Sequence, residues 1–227
     1  MDERVLAAAE NYATWCDRAC RSRGVATAMQ TDHWVALQRP PEGVPDAVTL
    51  RESADADAVL QRAQEGPGCS VTDSFAQLDL AGRGFEEIAE AQWFHRAPAL
   101  PTVTAAAIWS LVETDEELEA GALGSGREAT FGPELLRDDS VRVLAAHGRF
   151  GVRAGAVVSQ SGSVVGVIDV FTTKAMDDVE AWKTLPTAVA GFFTQVPLVG
   201  CVGPEQRDTA LGAGFVETGA LRVWRRA

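Results

Sequence analysis

The chain has 227 residues, 46% of them apolar and 23% charged, proportions that exclude disorder, collagen-like repetition and a disulfide scaffold. Against roughly 150 residues per domain, that length allows one large or two small domains. The net charge of −12 is shared between the halves, with 16 acids and 9 bases in residues 1–100 and 16 and 11 in residues 101–227. Neither half offers a basic face for nucleic acid or an anionic membrane, and a small amine or a basic peptide suits the field better as a partner.

Met1-Asp2-Glu3-Arg4 lacks the basic and then apolar pattern of an export signal, so a cytoplasmic protein is expected. No apolar run approaches the ~20 residues of a membrane helix. Val5, Ala8, Tyr12, Trp15, Cys16, Ala19 and Cys20 recur at steps of three and four before Gly24, which predicts an amphipathic helix over 3–23 with its aromatic face inward. Short strands are expected over 33–38 and 47–50, separated by Pro40-Pro41-Glu42-Gly43. Ser53 is read as the cap of a helix over 54–64, followed by a strand over 69–72, a short helix over 74–81 and an extended stretch over 87–95.

The segment Arg96-Ala97-Pro98-Ala99-Leu100-Pro101, with two prolines and no periodicity, is the candidate linker, giving units of 1–100 and 101–227. Beyond it the pattern predicts a strand over 106–112, a helix over 115–123 capped by Thr114, and a short helix over 133–136. Three strands follow over 141–146, 152–159 and 164–171, the last two joined by Gln160-Ser161-Gly162-Ser163. A helix from Asp177 and Asp178 to about Phe193, bent at Pro186, precedes a strand over 198–202, a helix over 204–211 and closing β structure over 215–225.

That order from residue 104 onward resembles the GNAT superfamily of acyl-CoA-dependent N-acyltransferases. Leu211-Gly212-Ala213-Gly214-Phe215 stands where that family ends its last helix, and Gly219 to Trp224 looks like its closing strand. The first half echoes the second: Gly84-Phe85-Glu86-Glu87 matches Gly214-Phe215-Val216-Glu217, each followed eight or nine residues on by Trp93 or Trp224. The expected fold is therefore α/β, a mainly antiparallel GNAT-like sheet flanked by helices over 101–227, preceded by a truncated GNAT-like unit.

The resemblance implies acyl transfer from acetyl-CoA or another acyl-CoA to an amine. It places Asp169 on the fourth strand as the base, and Val170, Phe171, Thr172, Thr173 and Lys174 along the cofactor. The family aims a glycine-rich turn at the diphosphate, where unpaired amides at a helix start favour an anion. Here the matching stretch, Thr172 to Asp178, has no glycine and ends in two acids. The family's acid, a tyrosine in the last helix, is Ala210 in this chain, and the sole tyrosine is Tyr12. The alternative reading is a non-catalytic GNAT-fold module that binds another ligand or a protein.

Other constellations carry less chemistry. His33, His95 and His147 have no ligand partners at metal spacing and are expected at the surface or at caps, so no metal is expected. Cys16, Cys20, Cys69 and Cys201 match no paired ligand pattern and read as reduced core thiols. The glycines of 121–126 read as a loop, and the six tryptophans as core.

Overall fold

A computed structural model of the chain describes residues 2–63, 66–101, 108–119, 130–149 and 151–227. Eleven strands form one mainly antiparallel sheet: β1 (Thr27–Met29), β2 (His33–Ala36), β3 (Ala47–Thr49), β4 (Ser70–Asp73), β5 (Phe85–Arg96), β6 (Trp109–Leu111), β7 (Val141–Gly148), β8 (Gly151–Ser161), β9 (Val164–Thr172), β10 (Leu198–Val202) and β11 (Val216–Arg226). Their order across the sheet is β1-β2-β3-β4-β11-β5-β10-β9-β8-β7-β6. The helices are α1 (Glu3–Ser22), α2 (Ala56–Arg62), α3 (Asp178–Val189) and α4 (Arg207–Gly212). None of the described helices is long and apolar enough to cross a membrane.

The pairing pattern repeats on either side of the central β5–β11 ladder. On one side β2 and β3 are antiparallel, β3 and β4 parallel with α2 between them, and β4 pairs with β11. On the other, β8 and β9 are antiparallel, β9 and β10 parallel with α3 between them, and β10 pairs with β5. Each half thus lends its long last strand to the other. Gly84 and Gly214, both at positive φ (79° and 87°), turn the chain into these two strands in the conformation a side chain disfavours.

The exchange also corrects the sequence echo. Phe85 and Trp224 are buried together in the core around α2, whereas Phe94 and Phe215 are buried together in the core around α3. The counterpart of Trp224 is therefore Phe94. Trp93 faces the opposite side, in a core with Val5, Ala8 and Ala9 of α1. α1 covers that face, and α2, α3 and α4 cover the other.

Helix α1 keeps the periodicity read from its sequence, burying Val5, Ala8, Ala9, Ala13, Trp15, Cys16, Ala19 and Cys20. Its alanines allow close seating on β9, where a Cβ on Gly166 would collide with the Asn11 side chain. Asn11 Nδ2 donates to the Ser159 carbonyl at 2.9 Å and Arg18 to the Ser159 hydroxyl at 2.6 Å, fixing the helix over the β8–β9 hairpin.

Several local expectations shift. The cap of α2 is Asp55, whose carboxylate accepts from the Ala58 amide at 2.9 Å, and Ser53 lies outside the helix. Residues 74–80 form no helix: Ala76 sits at a φ of 53°, outside the helical region, and the Asp73 carboxylate accepts the Leu78 amide that a helix would have paired with the Ser74 carbonyl; only Ala81–Arg83 closes a 3-10 turn. α3 ends at Val189, short of Phe193, and β11 is a single strand. His33 is buried, at 4% exposure, against the expectation of a surface or capping position. All six tryptophans are buried, and none of the four cysteines is in a disulfide. The glycine-rich stretch 121–126, residues 120–123 of the helix expected after Thr114, and residues 106 and 107 of the next strand lie outside the described residues.

Candidate active site

The parallel ladder between β9 and β10 runs only from Leu198–Val165 to Gly200–Val167. Beyond Val167, β9 continues to Thr172 paired with β8, so the two parallel strands diverge there. At the same level β9 bulges: Val158 faces Val167, Val157 faces Asp169, and Ile168 is the extra residue. A bulge breaks the alternation of side chains along a strand. Ile168 and Asp169, consecutive in sequence, therefore both line one cavity on the α1 face, while Val170 packs into the core around α3.

That cavity is about 240 Å³. Its walls come from α1 (Tyr12, Trp15, Cys16), the loop at Gly43 and Val44, β7, β8, β9, and the segments at Val112 to Leu118 and Thr130 to Phe131. Trp15 and Phe131 meet edge to face at 5.4 Å. The Phe171 ring packs against Gly155, where a Cβ would strike it, and both residues line the cavity. Glu117, exposed, stands at the mouth; the amides of Glu113 and Thr114 donate to its carboxylate at 2.9 and 3.3 Å and hold it below the ordinary carboxylate range.

Of the residues picked from the sequence, Asp169 and Phe171 line this cavity, and Val170 and Thr172 to Lys174 run away from it toward the start of α3. The Thr173 amide donates to the Arg153 carbonyl at 2.8 Å, the Thr172 hydroxyl to Asp178 at 2.5 Å, and Lys174 is exposed. Tyr12 is the lining residue that sequence reasoning left without a role. Burial, and then the neighbouring Cys16, push its phenol well above the ordinary range, so it keeps its proton at neutral pH. Only the packing of α1 on the sheet brings it into the same cavity wall as Asp169, and no local motif signals that.

The helix start that would seat a diphosphate is already served by the protein. Asp177 caps α3, accepting from the Glu180 amide at 2.7 Å, and Arg153 spans the turn, donating to the Ala175 carbonyl at 2.9 Å and to Glu180 at 3.1 Å. The chain's own carboxylate thus takes up the amide an anion would need. This turn therefore does not fit a diphosphate, while the edge of β9 beyond Val167 is no longer laddered to β10. Among the described residues, no group of three or more His, Cys, Asp or Glu side chains is placed to hold a metal.

The architecture of helices on a mainly antiparallel sheet, with β9 and β10 parallel and then diverging, is that of the GNAT superfamily, and solved structures carry the same fold. A GCN5-related N-acetyltransferase from Kribbella flavida superposes with a TM-score of 0.65 at 16% identity, over 96% of this chain and 95% of that one. A putative GNAT-family acetyltransferase from Novosphingobium aromaticivorans gives 0.61 at 11% identity, over 96% and 99%. A conserved protein of unknown function from Staphylococcus epidermidis gives 0.55 at 10% identity, over 85% and 83%. No protein-family model matches the sequence, and no curated protein matches it. The chain thus has the GNAT fold, established by shape at identities where sequence carries little.

Proposed function

We propose that the chain is an N-acyltransferase that moves an acyl group from an acyl-CoA thioester to a small amine. The observation that carries this reading is the β9 bulge, which sets Asp169 in the cavity wall at the point where β9 leaves β10. An acyl-pantetheine arm along Ile168 to Thr172 brings its carbonyl carbon to that level. The amine nitrogen attacks this carbon, the new C–N bond forms, and the C–S bond breaks with its electron pair going to the thiolate. Asp169 takes the amine proton through a water, and the thiolate departs with no side chain assigned as its acid. The repeat about β5–β11 supports a division of the chain into two GNAT-like units meeting near residue 100.

Asp169→Asn keeps the shape and removes the base. Turnover of acetyl-CoA with an amine acceptor is expected to fall by ~10²–10⁴ with acetyl-CoA affinity unchanged. Equal turnover by the variant rules out the assigned base. The self-capped start of α3 favours a second reading, a GNAT-fold module that binds an amine without acyl transfer. Calorimetry separates the two: saturable heat with acetyl-CoA supports the enzyme, and silence at millimolar ligand leaves the module.

A further inference from the structure

β5, the longest strand, leaves an uncovered edge in the interior of the sheet. β11 pairs with it from Phe85 to Arg96, whereas β10 pairs only with Gln92 to Arg96. β10 stops at Val202, and Gly203 and Pro204 turn the chain aside, the Gln206 amide closing on the Gly203 carbonyl; a proline cannot extend the ladder. Among the described residues nothing pairs with 86–91 on that side. Glu86, Glu87, Ile88, Ala89 and Glu90 are all exposed, so no helix covers either face of this stretch. Ile88 is the extra residue of a bulge between Glu87, opposite Trp224, and Ala89, opposite Val223, and it is 44% exposed.

The side chains along this edge select its partner. Two copies of the chain paired edge to edge would set Glu86, Glu87 and Glu90 against one another. The neighbour on the other edge shows what these acids accept: β11 places Arg225 opposite Glu86 and Arg222 opposite Glu90, with Arg222 Nε 3.5 Å from Glu87 and 3.9 Å from Glu90. Glu90 still leaves 71% of its side chain exposed. We propose that residues 86–91 are a strand-addition site for an extended peptide with lysine or arginine at alternate positions. Its backbone completes the ladder along the line of β10 beyond Val202, over roughly 20 Å, and its cations reach the acids from the side away from β11. The site stands on the sheet edge alone and is independent of acyl transfer.

The test is calorimetry on the full chain at low salt with three end-capped hexapeptides. One alternates lysine and valine, one alternates glutamate and valine, and the third is the first with every backbone nitrogen methylated. The lysine peptide is expected to saturate. The glutamate peptide carries the wrong charge and the methylated one cannot donate to a ladder, so each is expected at least ~10-fold weaker, the size of one or two lost ladder bonds. Silence of the lysine peptide at millimolar concentration, or equal binding by either of the others, overturns the proposal. Hydrogen exchange locates the contact: the lysine peptide should slow the amides that face the edge, every second one over 86–91, and unchanged exchange there overturns the site. Protection of 86–91 that grows with protein concentration in the absence of peptide assigns the edge to a second copy and overturns it as well. Glu90→Lys, exposed and outside the cavity, is expected to weaken the lysine peptide about 5-fold in a chain that still melts cooperatively. Undiminished affinity in that variant overturns the choice of a basic partner.

Discussion

The two parallel strand pairs of the sheet, β3–β4 and β9–β10, share a layout and differ in how their diverging ends are filled. Ala47 opposite Val71 corresponds to Val167 opposite Gly200, so Thr49 stands where the other half has Asp169. Thr49 is buried and its hydroxyl accepts the Ser74 amide at 2.8 Å, while the Asp73 carboxylate takes the amides of Phe75 and Leu78, so side chains sew this end shut. The other end is held open by a bulge, a glycine under Phe171 and an apolar helix face above. One layout thus serves as a closed structural joint in the first half and as a cavity with a carboxylate in the second. A shared fold does not by itself specify activity.

The sharpest way to break the comparison lies in the exchanged strands. Phe94→Ala and Trp224→Ala are each expected to cost about 3–5 kcal/mol, read from denaturant unfolding. Hydrogen exchange should place the loosening of Phe94→Ala around α3 and that of Trp224→Ala around α2. Loosening of the same half by both variants removes the correspondence.

Next in size is the joint itself. Thr49→Val leaves the Ser74 amide buried without its acceptor, an expected loss of ~1–3 kcal/mol. Asp169→Asn, in a cavity wall, should stay within ~1 kcal/mol of the wild type in the same assay. A reversed order of the two makes Asp169 the structural group and Thr49 the dispensable one.

Both helix starts are capped by aspartate, Asp55 on α2 and Asp177 on α3, so alanine at either is expected to cost about 1 kcal/mol. Only Asp177→Ala should also tighten acetyl-CoA, by freeing an amide at the helix start, while leaving a pantetheine thioester unaffected. Parallel titrations of the two donors check this, and equal gains for both place the effect away from the diphosphate.

The smallest effect is in pH. Burial raises the carboxyls of Asp46 and Asp73, both in the first half, above 3.8. The folded state therefore holds protons that the unfolded chain has released. Their contribution to stability is full below the unfolded value and is lost as pH rises through the folded one. Protection of β3 and β4 amides, corrected for intrinsic exchange, is expected to gain relative to β9 and β10 as pH falls from neutral through the raised folded values of these two carboxyls. Identical trends in the two halves contradict the assignment.

Much of this was legible in the chain. The α1 stripe, the hairpin at Gly162, and the strand order after residue 140 follow from periodicity and turn chemistry. The echo of Phe85 and Phe215 was visible too, but its aromatic partner was misassigned. Trp93 matches Trp224 by residue type, whereas pairing and burial match Phe94, and only the ladder decides between them. Asp169 stood out as the one acid in an apolar strand, yet its direction depends on the bulge at Ile168, which no spacing announces. Tyr12 and Asp169 lie over 150 positions apart and come to line one cavity through helix-on-sheet packing. The helix read into residues 74–81 is absent because Ala76 takes a positive φ and the Asp73 carboxylate takes the Leu78 amide.

The exchange of β5 and β11 sets a schedule on the ribosome. β4, paired with β3 on one edge, gains the partner on its other edge only once residues 222–225 have emerged, after every other strand of the sheet. Until then the early half waits with an open strand edge, the kind of surface that recruits chaperones or a second nascent chain. Stalling synthesis between β10 and β11 should therefore leave residues 27–73 protease-sensitive, with maturation of the first half timed by the last strand made.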